Sequence, residues 1–581
     1  QHAPAQTDPA APIEIPEQIN DPKAFAAAIK IDKDHAARFG SLLVQNFDGR
    51  IEPVNTLALE ILRKLYQKDT FYGLDANQFL LSASTEPIAW ARVPLVKVNP
   101  RGGPELMKAV KATPEGYTSL VNLFEFGPDG QPHFVLEAEY QKAFARKASE
   151  QNSYDKELIE LNDKLQVMQY LLSGQYLRVL PVPGDPNNTW ISWGADHAHN
   201  ANIKDNLFAV YLKEVIMTSS SYNWNKADQL LQQLKDNQKR LAKDIIPSDA
   251  KVKWELRYNT WNIFFKLMIA YALLGALVLA LAFTRLFTES KIVKRLISGL
   301  LILVTAGALI QAAGLGIRWY ISGHEPWSNG YEAVMFISWT GVVAGLILYR
   351  NNNAFIPAAG CLIAVMLMGF AHGGSQMNPQ ITPLVPVLKS YWLMIHVAII
   401  TSSYGFFGLS ALIGMVVLLL YIVNNKKIEG KLISSVNELS IVNEMSLTVG
   451  LFLLTVGTFL GGIWANESWG RYWSWDPKET WAFISVIIYA FVLHVRLIPK
   501  MQGKYLFNLL SLISFSSVIM TYFGVNYYLS GLHSYAKGDP VPVPSWVYIA
   551  ITIIALVAAL SYWRYRNWKL KPGTGTNSQA R

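Results

Sequence analysis

A chain of 581 residues in which 51% are hydrophobic and only 16% charged is too long for one domain and too apolar for an ordinary soluble protein. Its formal net charge of +9 lies mostly in short connections between apolar runs, which excludes a nucleic-acid partner and indicates a protein surrounded by membrane lipid. The single cysteine, Cys361, sits inside an apolar run, so a disulfide framework, a zinc cluster and an internal thiol relay are excluded.

In chain order, residues 1–20 are rich in Pro and Ala and read as a tether, beginning at Gln1 rather than Met, so an upstream segment is expected to be missing. Residues 21–250 have the composition of a soluble domain of mixed α/β type. Val54 to Lys68 reads as helix, Trp90 to Val98 as strand, and Leu158, Leu161, Leu165, Met168 and Leu172 fall on one helix face. The segment WISWGADHAHN, with His197 and His199, reads as a polar loop rather than a metal site.

From residue 262 the runs are long enough to cross about 30 Å of hydrocarbon as helices. Nine are expected, at about 262–284, 296–317, 332–349, 354–371, 392–423, 446–465, 480–498, 505–528 and 546–563, making this part an all-α polytopic membrane domain. Alternate connections are basic: Arg285, Lys291, Lys294 and Arg295; Arg350; Lys426, Lys427 and Lys431; Arg496, Lys500 and Lys504; then Arg564, Arg566, Lys569 and Lys571. The positive-inside rule makes these cytoplasmic. Residues 1–250 and the loops at 318–331, 372–391, 466–480 and 529–545 then lie outside, and those loops are rich in Trp, Tyr, Pro or His.

The strongest local signal is WGRYWSWDPKETW, Trp469 to Trp481, entering helix seven. Its four Trp and one Tyr make a flat, π-rich surface suited to a large planar ligand, whereas an interfacial belt would spread its Trp over many helix ends. Asp476, Lys478 and Glu479 either orient the ligand's polar edges or cap helix seven. Histidine is the second signal, because heme iron takes imidazole axial ligands. His396, one turn into helix five, and His533, in the loop after helix eight, share the side of the Trp loop, where one could face each side of a porphyrin. His494 lies about 20 Å deeper than Trp481 along helix seven at 1.5 Å per residue, so it belongs to a different level. An ionisable ring there is a functional candidate, with a bond to a backbone carbonyl as the structural alternative. His324 and His372 read as interfacial or structural.

At these residues the sequence resembles the CcsA (ResC) family of system II cytochrome c biogenesis, within the wider heme-handling group marked by a tryptophan-rich WWD loop. WGRYWSWDPKETW with the following LHVRL carries the resemblance, supported by PLVPVLKSYWLMIHV, PWSNGYEAVMFISW and GLHSYA, over about 290–565. The resemblance implies that His396 and His533 are external heme ligands, that Trp469, Gly470, Trp473, Trp475, Asp476 and Trp481 belong to the heme-binding loop, and that His494 is a transmembrane heme ligand. Residues 251–290, holding the first membrane helix, would correspond to the end of CcsB (ResB), as in fused CcsBA proteins; 291–571 would be the heme-handling domain and 572–581 a cytoplasmic tail.

The family pattern expects a further transmembrane His upstream, which no apolar run here offers at the depth of His494. A CcsB/ResB-like upstream segment or subunit is therefore an expected partner. With no CxxCH of its own, the chain would act on that motif in apocytochrome c, exporting heme b across a bacterial inner membrane and attaching it on the periplasmic side as a cytochrome c synthase. The alternatives are a heme transporter or chaperone that makes no bond, and a heme lyase of another maturation pathway.

Overall fold

The computed structural model describes residues 17–126, 132–147, 150–193, 206–221, 223–373, 377–384, 389–529, 543 and 545–569. The chain divides into two compact units, Gln1–Asn259 and Thr260–Arg581.

The first unit is mixed α/β, with helices around a continuous apolar core and five two-stranded antiparallel sheets among the described residues. Helix Ser153–Leu172 starts at a capping box between Asn152 and Asp155 and buries Leu158, Leu161, Leu165 and Met168, the face set by the 3,4 spacing. Val54–Tyr66 is helical. The strand expected from Trp90 to Val98 is mostly absent: Pro87 opens a short helix, Pro87–Ala91, and only Val96–Lys97 pairs, with Tyr117–Thr118. Proline at the first helical position is preorganised for helix, and Trp90 is fully buried against Phe25, Phe71 and Phe79 from within that turn. Here packing overrode a β-type run of residues.

The second unit is an up-and-down array of nine described helices long and apolar enough to cross a membrane, and the chain is a multi-pass membrane protein. They are helix one (Ile263–Phe287), two (Lys291–Ser322), three (Gly330–Ile347), four (Phe355–His372), five (Tyr391–Val423), six (Glu429–Trp469) and seven (Pro477–His494). Helix eight runs as Lys504–Ile519, a π turn at Met520–Gly524 and a last turn at Val525–Tyr528, and helix nine is Ser545–Lys569. Helices three, four and five are the most enclosed, whereas helix nine is almost wholly exposed, as an outer helix facing hydrocarbon should be.

Small and polar residues hold the inner helices. A Cβ added at Gly345 would stand 3.2 Å from Gly360 Cα, so helices three and four meet backbone to backbone. Deeper, Ser410 donates to Asn443 Oδ1 at 2.5 Å, Asn443 Nδ2 donates to Asn508 Oδ1 and to Ser511 Oγ at 2.8 Å, and Asn508 donates to Ser440 at 2.8 Å. The basic connections gather at one end, where Arg496 meets Glu444 at 2.5 Å, Lys431 meets Glu289 at 3.2 Å and Arg285 donates to the Asn352 carbonyl. The aromatic segments gather at the other end.

Candidate functional site

At that aromatic end a cavity of about 550 Å³ lies between helices three, five, six, seven and eight and the segment 325–329. Its walls include Trp327, Met394, Tyr404, Trp464, Trp473 and Tyr522, and the volume falls within the range of about 300–1,000 Å³ usual for small-molecule sites. Trp327 is fixed by its indole N–H donating to the Met394 carbonyl at 3.1 Å.

His396 reaches this cavity from the second turn of helix five. Its Nδ1 stands 2.7 Å from the Gly457 carbonyl of helix six. A carbonyl can only accept, so Nδ1 carries the proton and Nε2 is the imine nitrogen, the tautomer a metal ligand requires. The ring lies nearly parallel to Trp464, centroids 6.3 Å apart at 18°, and Trp464 in turn meets Trp469 edge-on at 4.8 Å. Gly461 makes this seat possible, because a Cβ there would stand 2.4 Å from His396 Cε1.

The Trp loop divides between surface, frame and cavity. Helix six ends at Gly470, whose φ of +71° suits glycine, with its N–H donating to the Asn466 carbonyl at 2.9 Å. Trp473 lines the cavity; Trp475, with φ +59°, is 69% exposed and packs edge-on against Trp473 at 5.8 Å. Asp476 is buried as the N-cap of helix seven and forms a capping box with Glu479. Its carboxylate accepts from Lys478 N at 3.1 Å, while Glu479 Oε2 accepts from Ser474 N at 2.8 Å. These bonds cap helix seven. Lys478 and Glu479 line the cavity, whereas Trp469, Gly470, Trp475, Asp476 and Trp481 stand outside its lining; the Trp481 carbonyl accepts from Ser485 and Thr521.

The remaining histidines separate. His533 lies outside the described residues. His494 ends helix seven on an exposed face, with Nδ1 donating to the Ala490 carbonyl at 2.7 Å, so its Nε2 is also the imine nitrogen. It is not in the cavity lining. His324 is buried with Nε2 bonded to the Thr382 carbonyl at 3.0 Å, and His372 Nδ1 donates to the Met368 carbonyl at 2.8 Å. Among the described residues no group of three or more His, Cys, Asp or Glu is arranged to hold a metal ion.

Several cavity residues were not singled out from the sequence. Trp464 stands after the GlyGly pair 461–462, outside the thirteen-residue loop, and Trp327 lies within the PWSNGYE segment. Thr521, Tyr522 and Asn526 reach the cavity around the π turn of helix eight, a local widening that accompanies functional sites and has no simple sequence signature.

These features define a polytopic membrane protein with an aromatic-walled, histidine-bearing cavity at one end of its helices. The profile of the Cytochrome C assembly protein family matches residues 327–533. The cytochrome c biogenesis protein CcsA of Mesostigma viride is 35% identical over 294 residues, 46% of this chain and 94% of that protein. CcsA of Trieres chinensis is 34% identical over 253 residues, 38% of this chain and 81% of that protein. Protein NrfI of Wolinella succinogenes is 39% identical over 514 residues, 87% of this chain but 55% of NrfI, so the chain spans about half the length of that relative. The solved cytochrome c heme lyase CcmF overlays on 53% of this chain and 50% of its own at 15% identity with a TM-score of 0.36, a likeness too weak to carry an argument. The chain belongs to the CcsA-like cytochrome c assembly family.

Proposed function

We propose that this protein handles heme b in cytochrome c maturation, holding it in the cavity of the second unit and joining it to the CxxCH cysteines of an apocytochrome c. The observation that carries the reading is His396, an imidazole oriented by the Gly457 carbonyl, in a Trp-walled cavity of fitting size. His533 would be the second residue to hold the iron, and Trp473 and Trp464 would enclose the porphyrin. Trp469, Trp475, Asp476 and Trp481 act around this wall, with Gly470 allowing the turn that starts it.

The bond-forming step is addition of a substrate thiol across each heme vinyl group: sulfur bonds one carbon, the thiol proton goes to the other, and no oxidant or reductant is consumed. Both thiols come from the apocytochrome, so the protein contributes placement, iron ligation and exclusion of water. His494 belongs to a second, inner heme level completed by a histidine from a CcsB/ResB-like segment or subunit; its exposed place at the end of helix seven supports this. The positive-inside arrangement supports a bacterial inner membrane with the cavity and residues 21–250 on the periplasmic side.

The test is co-expression with a CxxCH acceptor, scored for covalent heme. Covalent heme on the acceptor that disappears in the His396→Ala/His533→Ala variant is the expected result. Tight heme binding with no attachment would assign the chain to transport or chaperoning instead. Wild-type heme content and an unaltered absorption spectrum in the double variant would remove both histidines from the ligand set.

A further inference from the structure

We propose that Lys478 is the anchor for a propionate carboxylate of the bound porphyrin, so that the cavity selects a planar ligand carrying an acidic edge. This rests on the reading of the cavity as a heme site and adds to it the group that sets the ligand's rotation about the iron axis.

Lys478 lines the cavity and its ammonium donates to Asn526 Oδ1 at 3.1 Å. Among the described residues the hydrogen bond its ammonium makes goes to this neutral amide rather than to a carboxylate. The nearby acids are committed elsewhere: Asp476 caps helix seven and takes the Lys478 backbone N–H, and Glu479 accepts from the backbone N–H groups of Ser474 and Asp476. Glu325 also faces the cavity and makes no bond to Lys478. The ammonium is bonded to one neutral amide, with the Asp476 carboxylate acting on it only through space, so in an aromatic-walled cavity it gains from an anion brought in by the ligand. The π turn of helix eight puts Asn526 opposite Lys478, orienting the ammonium without neutralising it.

The experiment measures binding of heme b and of its dimethyl ester, in which both propionates are methylated and uncharged, to the purified full chain in detergent. Wild type should prefer heme b by about tenfold or more, the scale of one charge-assisted hydrogen bond. Lys478→Met and Lys478→Gln should bind both porphyrins alike, at the wild-type affinity for the ester, while Lys478→Arg retains the preference. The glutamine variant can still bond Asn526, so a loss confined to Lys478→Met reports packing and overturns the assignment. Equal binding of both porphyrins by wild type, or a preference that survives in both neutral variants, also overturns it. The heme reading beneath it fails separately, if wild type binds neither porphyrin.

Discussion

Gly461 and His396 form one device, in which the missing side chain on helix six is the space the imidazole occupies. Gly461→Ala should leave the helix intact, since alanine is the better helix former, yet push the ring off the Gly457 carbonyl. The expected outcome is a heme affinity lowered by about tenfold, one bond's worth of positioning, with an altered Soret band and a melting temperature near wild type. Unchanged heme spectra would mean that the ring accommodates the methyl group and that its seat is not specified by Gly461. Cys361 is the opposite case, fully buried in helix four beside Gly275 of helix one, where nothing reactive reaches it. Cys361→Ala should mature cytochromes at wild-type yield; loss of covalent attachment at undiminished protein level would require a thiol intermediate on this chain. His396 was legible from the sequence because a polar ring in an apolar run is costly and therefore conspicuous. Gly461 was not, because a glycine says nothing until its neighbour across the interface is known.

Two short polar assemblies decide how the helical ends hold the cavity. Asp476 caps helix seven, and asparagine caps as well as aspartate, whereas alanine costs about 1 kcal/mol. Asp476→Asn should therefore retain heme binding, while Asp476→Ala loosens the loop and weakens it; equal loss in both would show that the carboxylate charge itself meets the ligand. Behind the cavity, Arg318 of helix two is 1% exposed, donates to Glu332 at 2.6 Å, and holds the 379–380 segment through carbonyls at 2.8 Å. Removing one member leaves a buried charge alone, so Arg318→Leu should destabilise by about 3–5 kcal/mol, and Glu332→Leu in the same chain should recover part of that. Thermal unfolding of the purified protein in detergent checks both; additive losses in the double variant would show that the two residues act independently.

Across the molecule, the first unit carries its own pH dependence. His35 is buried between Asp228, at 2.7 Å from Nδ1, and the Tyr211 hydroxyl, at 2.9 Å from Nε2. Burial pulls its pKa below the ordinary 6.5, outweighing the opposing pull of Asp228. Burial also acts to raise the Asp228 carboxyl, but hydrogen bonds from Arg38 and His35 prevail and hold it below 3.8. A depressed histidine favours the neutral ring in the fold, so its contribution is complete above about pH 6.5 and is lost as pH falls through the folded value. The Asp228 contribution is lost further down, in the same direction. Between pH 7 and pH 5 the full chain should therefore exchange amide hydrogens faster in 33–40 and 207–241, and His35→Gln should flatten that dependence. Equal pH sensitivity in the variant would place the titrating group elsewhere.

What the sequence by itself determined was everything that depends on neighbours along the chain. An apolar run of about 20 residues must become a helix to satisfy its backbone in lipid, so all nine spans could be read directly, although helix six runs on to Glu429–Trp469. The Trp-rich loop, its helix-capping acids and the isolated histidines were equally local signals. Only the tertiary structure decided which of these face one another. The cavity joins Trp327, His396, Trp464, Trp473 and Tyr522 from segments far apart in the chain, and excludes Trp475 and Trp481 from the same loop as Trp473. Composition could not make that division, since all the indoles are alike in one dimension; it arises from which side of a capped turn each side chain leaves, from a glycine that leaves room for the imidazole and from a π turn that brings residues of helix eight to the cavity.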